Sequence, residues 1–278
     1  MLGFGVWGLL VKEVRKIVKF SVILKKTAYI DNNIVVDIEQ EYLSRENLLK
    51  NVDTGITDFF YSSAHLQEAN EMTAKTEEEL NIRLKKRFTA ISSITYDNYI
   101  ETKLDSHDVY LIKKKPSEIY EKIDFSLIGV SAMKGFMSII SEIQKQHFRS
   151  QIGIDPKRIN NYNPKEIIDH INSKSDLMGG YSFIGFIDKA LELHPLGAEM
   201  GRRNVFTAMF EFLDLVGYWK DGFTDKSNYA RLWDSNHAYY SSQCDYFISD
   251  DKRTRNKTKV VFEYYDIHTK IVSSKGTE

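Results

Sequence analysis

From Lys25 onward the chain alternates short apolar runs with amphipathic segments. The stretch "KKTAYIDNNIVVDIEQEYL" sets Ala28, Tyr29 and Ile30 in a β-compatible run, breaks at Asp31, Asn32 and Asn33, and resumes with apolar positions at helical spacing. A strand, a polar turn and a helix are predicted. The order repeats in "TDFFYSSAHLQEANEM", with Phe59, Phe60 and Tyr61 as strand, Ser62 or Ser63 as N-cap, and a helix carrying His65 and Glu68. Towards the C-terminus "DYFIS" reads as strand, "DDKR" as turn, "TRNKTKVVFEYY" as helix and "HTKIVSS" as a closing strand. Short strands alternating with helices predict an α/β fold, its mostly parallel sheet covered on both faces.

The stretch from about Thr76 to Tyr229 has helical composition and no strong strand pattern. "NPKEIIDHINSK" carries Asn163 as N-cap, Pro164 at the first helical position and Glu166 placed to close a capping box. "RRNVFTAMFEFLDLVGYW" puts Val205, Met209, Phe212 and Val216 on one stripe with Phe206, Phe210 and Leu213 beside it, and Gly217 as a helix stop. The expected organisation is therefore an N-terminal extension at 1–24, a first part of the α/β core at 25–75, a mainly helical insertion at 76–229, and the rest of the core at 230–278.

Composition narrows the class. The 278 residues are 42% hydrophobic and 28% charged with only four prolines, enough for a substantial core. A net charge of -1 excludes attachment to nucleic acid by bulk attraction but leaves room for a local basic patch. The single cysteine, Cys244, excludes an intrachain disulfide and a multi-cysteine zinc site, which fits a reducing compartment; the cytoplasm is expected. In "MLGFGVWGLLVKEVRKIVKF" the apolar run precedes the basic residues, and Lys12, Glu13, Arg15 and Lys16 interrupt it early, so neither a secretory signal nor a membrane span is expected.

The acids change the picture most. In an open parallel sheet ligands bind beyond the carboxyl ends of the strands, where Asp31, Asp250 and Asp251 are expected, with Glu68 and Asp234 near the starts of helices flanking the same edge. Convergent carboxylates raise one another's pKa unless a cation neutralises them. Carboxylates without thiols or clustered imidazoles select hard ions, Mg²⁺ or Mn²⁺. Such a site suits phosphodiester hydrolysis.

"YIDNN" before a helix, "FFYSSAHLQE", and "DSNHAYYSSQCDYFISDDKR" resemble the three acidic motifs of PIN-domain nucleases. The last is the most specific: an Asp opening a helix, His and Ala a turn on, "CD", an apolar strand, Ser, then Asp-Asp-Lys. The resemblance covers roughly the first third and last sixth of the chain. It implies a three-layer α/β/α sandwich and cleavage of RNA, less often DNA, by acids holding Mg²⁺ or Mn²⁺; the helical middle is much longer than in compact members, a departure that bears on substrate recognition and not on the core chemistry. Asp31, Glu68, Asp234 and Asp251 match the family's catalytic and metal-holding acids. With Ser249 as the hydroxyl that ends the strand, Asp250 becomes the variable residue of the motif and remains an additional candidate.

Lys252, Arg253, Arg255, Lys257 and Lys259 follow the acids directly; Lys252, Arg253 and Lys257 are candidate contacts for a substrate phosphate, against a solvated helix face. Lys113 to Lys115 read as a surface loop, and Arg202 and Arg203 could reach the cleft. His65 with Glu68, and Asp234 with His237, share helix faces, which raises a zinc hydrolase; scattered histidines and the absence of a His-Glu-x-x-His run favour packing histidines instead. Asp37 is expected on a solvent-facing helix side, Asp245 at the turn into the strand, and Cys244, Phe206, Phe210 and Phe212 in the core. Alternatives to an active nuclease are a catalytically silent RNA- or protein-binding module and a toxin-like nuclease held by a protein inhibitor.

Overall fold

A computed structural model describes residues 25–102, 108–123, 141–155, 157–192, 202–221 and 225–277. The N-terminal extension lies outside them. Six strands form one sheet: β1 (Lys26–Ile30), β2 (Ile56–Ser62), β3 (Asn98–Thr102), β4 (Val109–Lys113), β5 (Tyr246–Ile248) and β6 (Lys270–Val272), in the order β4-β3-β2-β1-β5-β6. All pairings are parallel except β3 with β4. Ile30 sits opposite Ile248, and the Asp31 N–H donates to Ile248 O at 2.8 Å, so the acids that follow β1 and β5 leave the sheet side by side.

The helices are α1 (Asn32–Glu39), α2 (Arg45–Asn51), α3 (Ser63–Ala69), α4 (Glu77–Thr95), α5 (Pro116–Tyr120), α6 (Glu142–Gln151), α7 (Pro164–Asn172), α8 (Phe183–Glu192), α9 (Arg202–Val216), α10 (Asp225–Ser241) and α11 (Lys252–Tyr264). Alternation along the strands divides the core in two. Tyr29, Phe60, Ile100, Phe247 and Ile271 face a cluster completed by Ile167, Met209, Phe210, Leu213, Val216 and Val261, from α7, α9 and α11. Ala28, Ile30, Phe59, Tyr61 and Ile248 face the opposite one, completed by Ile34, Val35, Leu48, Ala90, Ile91 and Ile94, from α1, α2 and α4. The architecture is a three-layer α/β/α sandwich, with both faces of the central strands β1, β2 and β5 covered.

Residues 76–229 are not helical throughout. α4 packs on α1 and β2, and β3 and β4 extend the central sheet, so the core takes in part of the segment read as an insertion. The strand signal is weak because β4 is an edge strand whose Tyr110, Leu111 and Lys113 face solvent. Lys113 belongs to this strand, Lys114 pairs with Glu101 at 2.7 Å, and Lys115 precedes α5. The cap predicted for α7 is present, with Asn163 and Glu166 each bonding the other's backbone N–H at 2.9 Å. Gly217 ends α9 at φ +93°, where a Cβ would come within 3.2 Å of Arg149 Nε. Among the described residues no helix is long and apolar enough to cross a membrane.

Candidate functional site

The sheet order reverses direction between β1 and β5: the chain builds outward from β1 through β2, β3 and β4, then returns to the other side of β1 for β5 and β6. In open α/β sheets this switch opens a crevice at the carboxyl ends of the strands. Asp31 stands at its lip, buried, as N-cap of α1. Its Oδ1 accepts from the Asn32 N–H at 2.7 Å, and its Oδ2 from Asn33 Nδ2 at 2.6 Å and Ser249 Oγ at 2.5 Å. Ser249, the residue just after β5, therefore fixes the acid just after β1.

Glu68, in the last turn of α3, reaches the same place. Asn32 Nδ2 donates to its Oε2, and His237 Nε2 donates to its Oε1 at 2.6 Å. The same Nε2 lies 3.8 Å from Asp31 Oδ1. Behind it, His237 Nδ1 is 2.8 Å from the Tyr29 hydroxyl, which is 2.7 Å from Ser62 Oγ. In the imidazolium form Nδ1–H donates to Tyr29, which donates on to Ser62. His65 completes the cluster differently. Its Nδ1 accepts from the Ser62 N–H at 3.2 Å, so Nε2 carries the proton and donates to Ile30 O at 2.9 Å. His65 is thus a satisfied interior histidine that closes the capping box of α3 and ties it to β1.

Asp234 does not open a helix, as its motif suggested. It lies inside α10, which extends upstream through the buried Arg231, Leu232 and Trp233. Its carboxyl is nevertheless driven well above the ordinary range, first by burial and then by the charges of Asp31, Asp251 and Asp221, with Lys257 opposing. Burial and the Glu68 charge likewise push Asp31 up, against the pull of His237. Burial disfavours the His237 cation, but the hydrogen bond and charge of Glu68, with the charge of Asp31, outweigh it and hold the imidazole above its usual range.

The neighbours Asp250 and Asp251 diverge. Asp251 caps α11, its Oδ1 accepting from the N–H groups of Arg253 at 2.6 Å and Thr254 at 3.2 Å, and its charge is felt by Asp234. The Asp250 carboxylate turns to the loop after β6, where Ser274 N–H and Oγ donate to it at 2.8 and 2.6 Å. Asp245 accepts from the Thr27 N–H and hydroxyl at the opposite end of the sheet, and Cys244 is buried. Asp37 is half-buried, its carboxyl raised by burial and the Asp250 charge.

The basic segment splits as well. Lys252 and Arg253 are exposed, Lys252 lying 4.8 Å from the centre of the Trp219 ring. Lys257, expected to meet a phosphate, is instead 1% exposed and pairs with Asp221 at 2.7 Å and Asp214 at 3.8 Å. Asp214 of α9 and Asp221 of the segment after it supply the countercharge. Arg255 is buried and donates to Ser249 O at 2.6 Å. The side chains of Arg202 and Arg203 lie outside the described ones.

Carboxylate oxygens and their mutual repulsion fit a hard divalent cation in donor type and charge, which Asp31, Glu68, Asp234 and Asp251 would hold. Among the described residues, however, no group of three or more His, Cys, Asp or Glu side chains is arranged to hold a metal ion. Glu68 is engaged by Asn32 and His237 instead. Tyr29 and Asn32 are the participants that the sequence did not single out, and His237, expected as a packing histidine on the face of Asp234, instead bonds Glu68 and Tyr29. No family model, curated protein or solved structure matches the chain. The fold and the acids define a class: an α/β sandwich with acidic side chains at the carboxyl ends of its strands, at the switch point.

Proposed function

We propose that the chain is a PIN-like, metal-dependent endoribonuclease that uses Asp31, Glu68, Asp234 and Asp251. The observation that carries this reading is that Asp31, after β1, and Glu68, on α3, meet about His237 Nε2, at 3.8 and 2.6 Å, with the charges of Asp31 and Asp251 also bearing on Asp234. Internal repulsion at a crevice is a feature of sites that work on a charged ligand and is costly otherwise. Bound Mg²⁺ or Mn²⁺ would neutralise the carboxylates, polarise the phosphodiester and make a bound water a better nucleophile. Ser249 and Asn33 hold Asp31 in place, Asn32 and His237 hold Glu68, and Lys252 and Arg253 offer exposed positive charge to the substrate backbone beside Asp251.

The test is cleavage of single-stranded RNA by the purified chain with Mn²⁺, with Asp31→Asn as control. Cleavage is expected from the parent, with at least a hundredfold loss in the variant; equal activity in both removes the assignment. A DNA strand of the same sequence decides the preferred polymer. A second reading, a silent PIN-like module that docks RNA or protein, is favoured by one observation: both oxygens of Glu68 are already taken by the chain's own Asn32 and His237. RNA binding without cleavage, and without response to Mn²⁺, would select it.

A further inference from the structure

The Glu68 carboxylate is held by a relay that begins on the far side of the sheet. Arg87, on α4, is buried with 8% of its surface exposed. Its Nε donates to Glu39 Oε2 at 2.5 Å, and its Nη1 donates to Asn32 Oδ1 at 3.1 Å. Asn32 in turn donates from Nδ2 to Glu68. An amide has one accepting and one donating end, and a guanidinium only donates. Arg87 and Glu68 therefore select the same orientation of Asn32: Oδ1 accepts from Nη1 and the NH₂ points at the carboxylate. Without Arg87 the NH₂ still favours the carboxylate, but the bond that fixes Oδ1, and with it the plane of the amide, is lost.

We propose that Arg87 is a positioning residue for Glu68, acting through the Asn32 amide, with Glu39 neutralising it. Glu39 engages Nε, so the buried guanidinium has a local countercharge and its fork is fixed towards Asn32. Asn32 and His237 then grip the two oxygens of Glu68 from opposite sides, and the carboxylate rotamer is set before any ligand arrives. Deepening the nuclease reading, this makes α4 part of the site's support although none of its residues belongs to the acidic motifs. Outer-sphere partners of this kind typically change metal affinity by about 10–100-fold when removed.

The relay is testable without metal. Arg87→Gln is made together with Glu39→Gln, so that no buried carboxylate is left unpaired. That change, Glu68→Gln and their combination are compared by urea unfolding at pH 7. The relay predicts that the combined unfolding constant departs from the product of the separate effects by about threefold or more, and that this coupling disappears in an Asn32→Ala background. Additive effects overturn the proposal. So does coupling that persists without Asn32, which would reveal a direct charge interaction. If the paired variant does not fold, Arg87→Lys replaces it, keeping the charge beside Glu39 but not the planar fork. Mn²⁺ titration of parent and variants forms the second arm, with a 10–100-fold weaker affinity expected on loss of Arg87. A parent that binds no Mn²⁺ overturns the nuclease reading alone, because the unfolding cycle still decides the relay; a parent that binds with the same affinity as the variant overturns the relay.

Discussion

At the scale of single residues, the two adjacent aspartates after β5 do different work although their chemistry is identical. Asp250 accepts two bonds from Ser274 and so pins the C-terminal loop to the end of β5; Asp251 caps α11 and contributes negative charge at Asp234. Asp250→Asn should therefore cost about 1 kcal/mol of stability, as a charge-assisted bond becomes a neutral one, and leave Mn²⁺-dependent cleavage within a few-fold. Asp251→Asn keeps a good capping side chain but removes the charge, so it should fold normally and lose at least a hundredfold in cleavage. Thermal melts and cleavage rates of both variants across a Mn²⁺ series check this, and the reverse pattern would shift the motif by one residue. Divergence of neighbours in extended backbone was readable from the sequence. The partner of His237 was not, because Glu68 is distant along the chain and only the packing of α10 beside α3 brings them together.

Single elements show where local signals suffice. The caps of α3 and α7 follow from Ser62 and from Asn163 with Glu166, since such bonds span three residues. β4 escaped because an exposed edge strand does not carry the apolar repetition of a central one and runs into three successive lysines, Lys113 to Lys115, while β3 offers only three buried positions, Asn98, Tyr99 and Ile100. His65 joins both kinds of information: it closes the cap of its own helix and donates to Ile30 O of β1. Burial, with the charge of His237 beside it, holds its imidazole well below the usual 6.5. The folded chain therefore refuses a proton that the unfolded chain accepts, so the stability His65 provides is full above pH 6.5 and is lost as pH falls below it. His65→Gln, which can still accept from Ser62 N–H, should cost about 1–3 kcal/mol at pH 7.5 through the bond to Ile30. That difference should shrink steadily in acid, because glutamine has no proton to gain. Urea unfolding of both proteins from pH 7.5 to 5 measures it; a difference that widens in acid would mean that His65 is charged in the fold.

Across the whole molecule, the helices outside the acidic motifs are locked to α10 and α11 by buried charge. Lys145 on α6 pairs with Asp214 at 2.9 Å, Arg231 on α10 with Glu211 at 2.7 Å, and Lys257 on α11 with Asp221 at 2.7 Å, while Arg231 and Lys257 also lie within 4 Å of Asp214. Among the described residues three cations meet three acids, and no member can be deleted without stranding a partner. None of these pairings was legible in the sequence, because each ion reads locally as a solvated helix face; their meaning comes from helices that meet only in the fold. Lys257→Met should destabilise the chain by about 3–5 kcal/mol by removing the nearest countercharge of Asp221 and leaving it only Arg231 at 3.7 Å, and Lys257→Met with Asp221→Leu should recover much of that. The pH response carries the sign. Burial alone would raise the Asp214 carboxyl, yet Lys257, Arg231 and Lys145 pull it down to about 2. Its folded pKa is below its unfolded value of 3.8, so its contribution, on the order of 2 kcal/mol, is complete above pH 3.8 and is lost as pH falls through about 2. Without Lys257 one of the charges holding Asp214 down is gone, and the acid loss should begin at higher pH. Circular-dichroism melts of parent and Lys257→Met between pH 6 and 2 compare the two curves; parallel curves would mean that Lys257 stabilises the helices by packing and not by its charge.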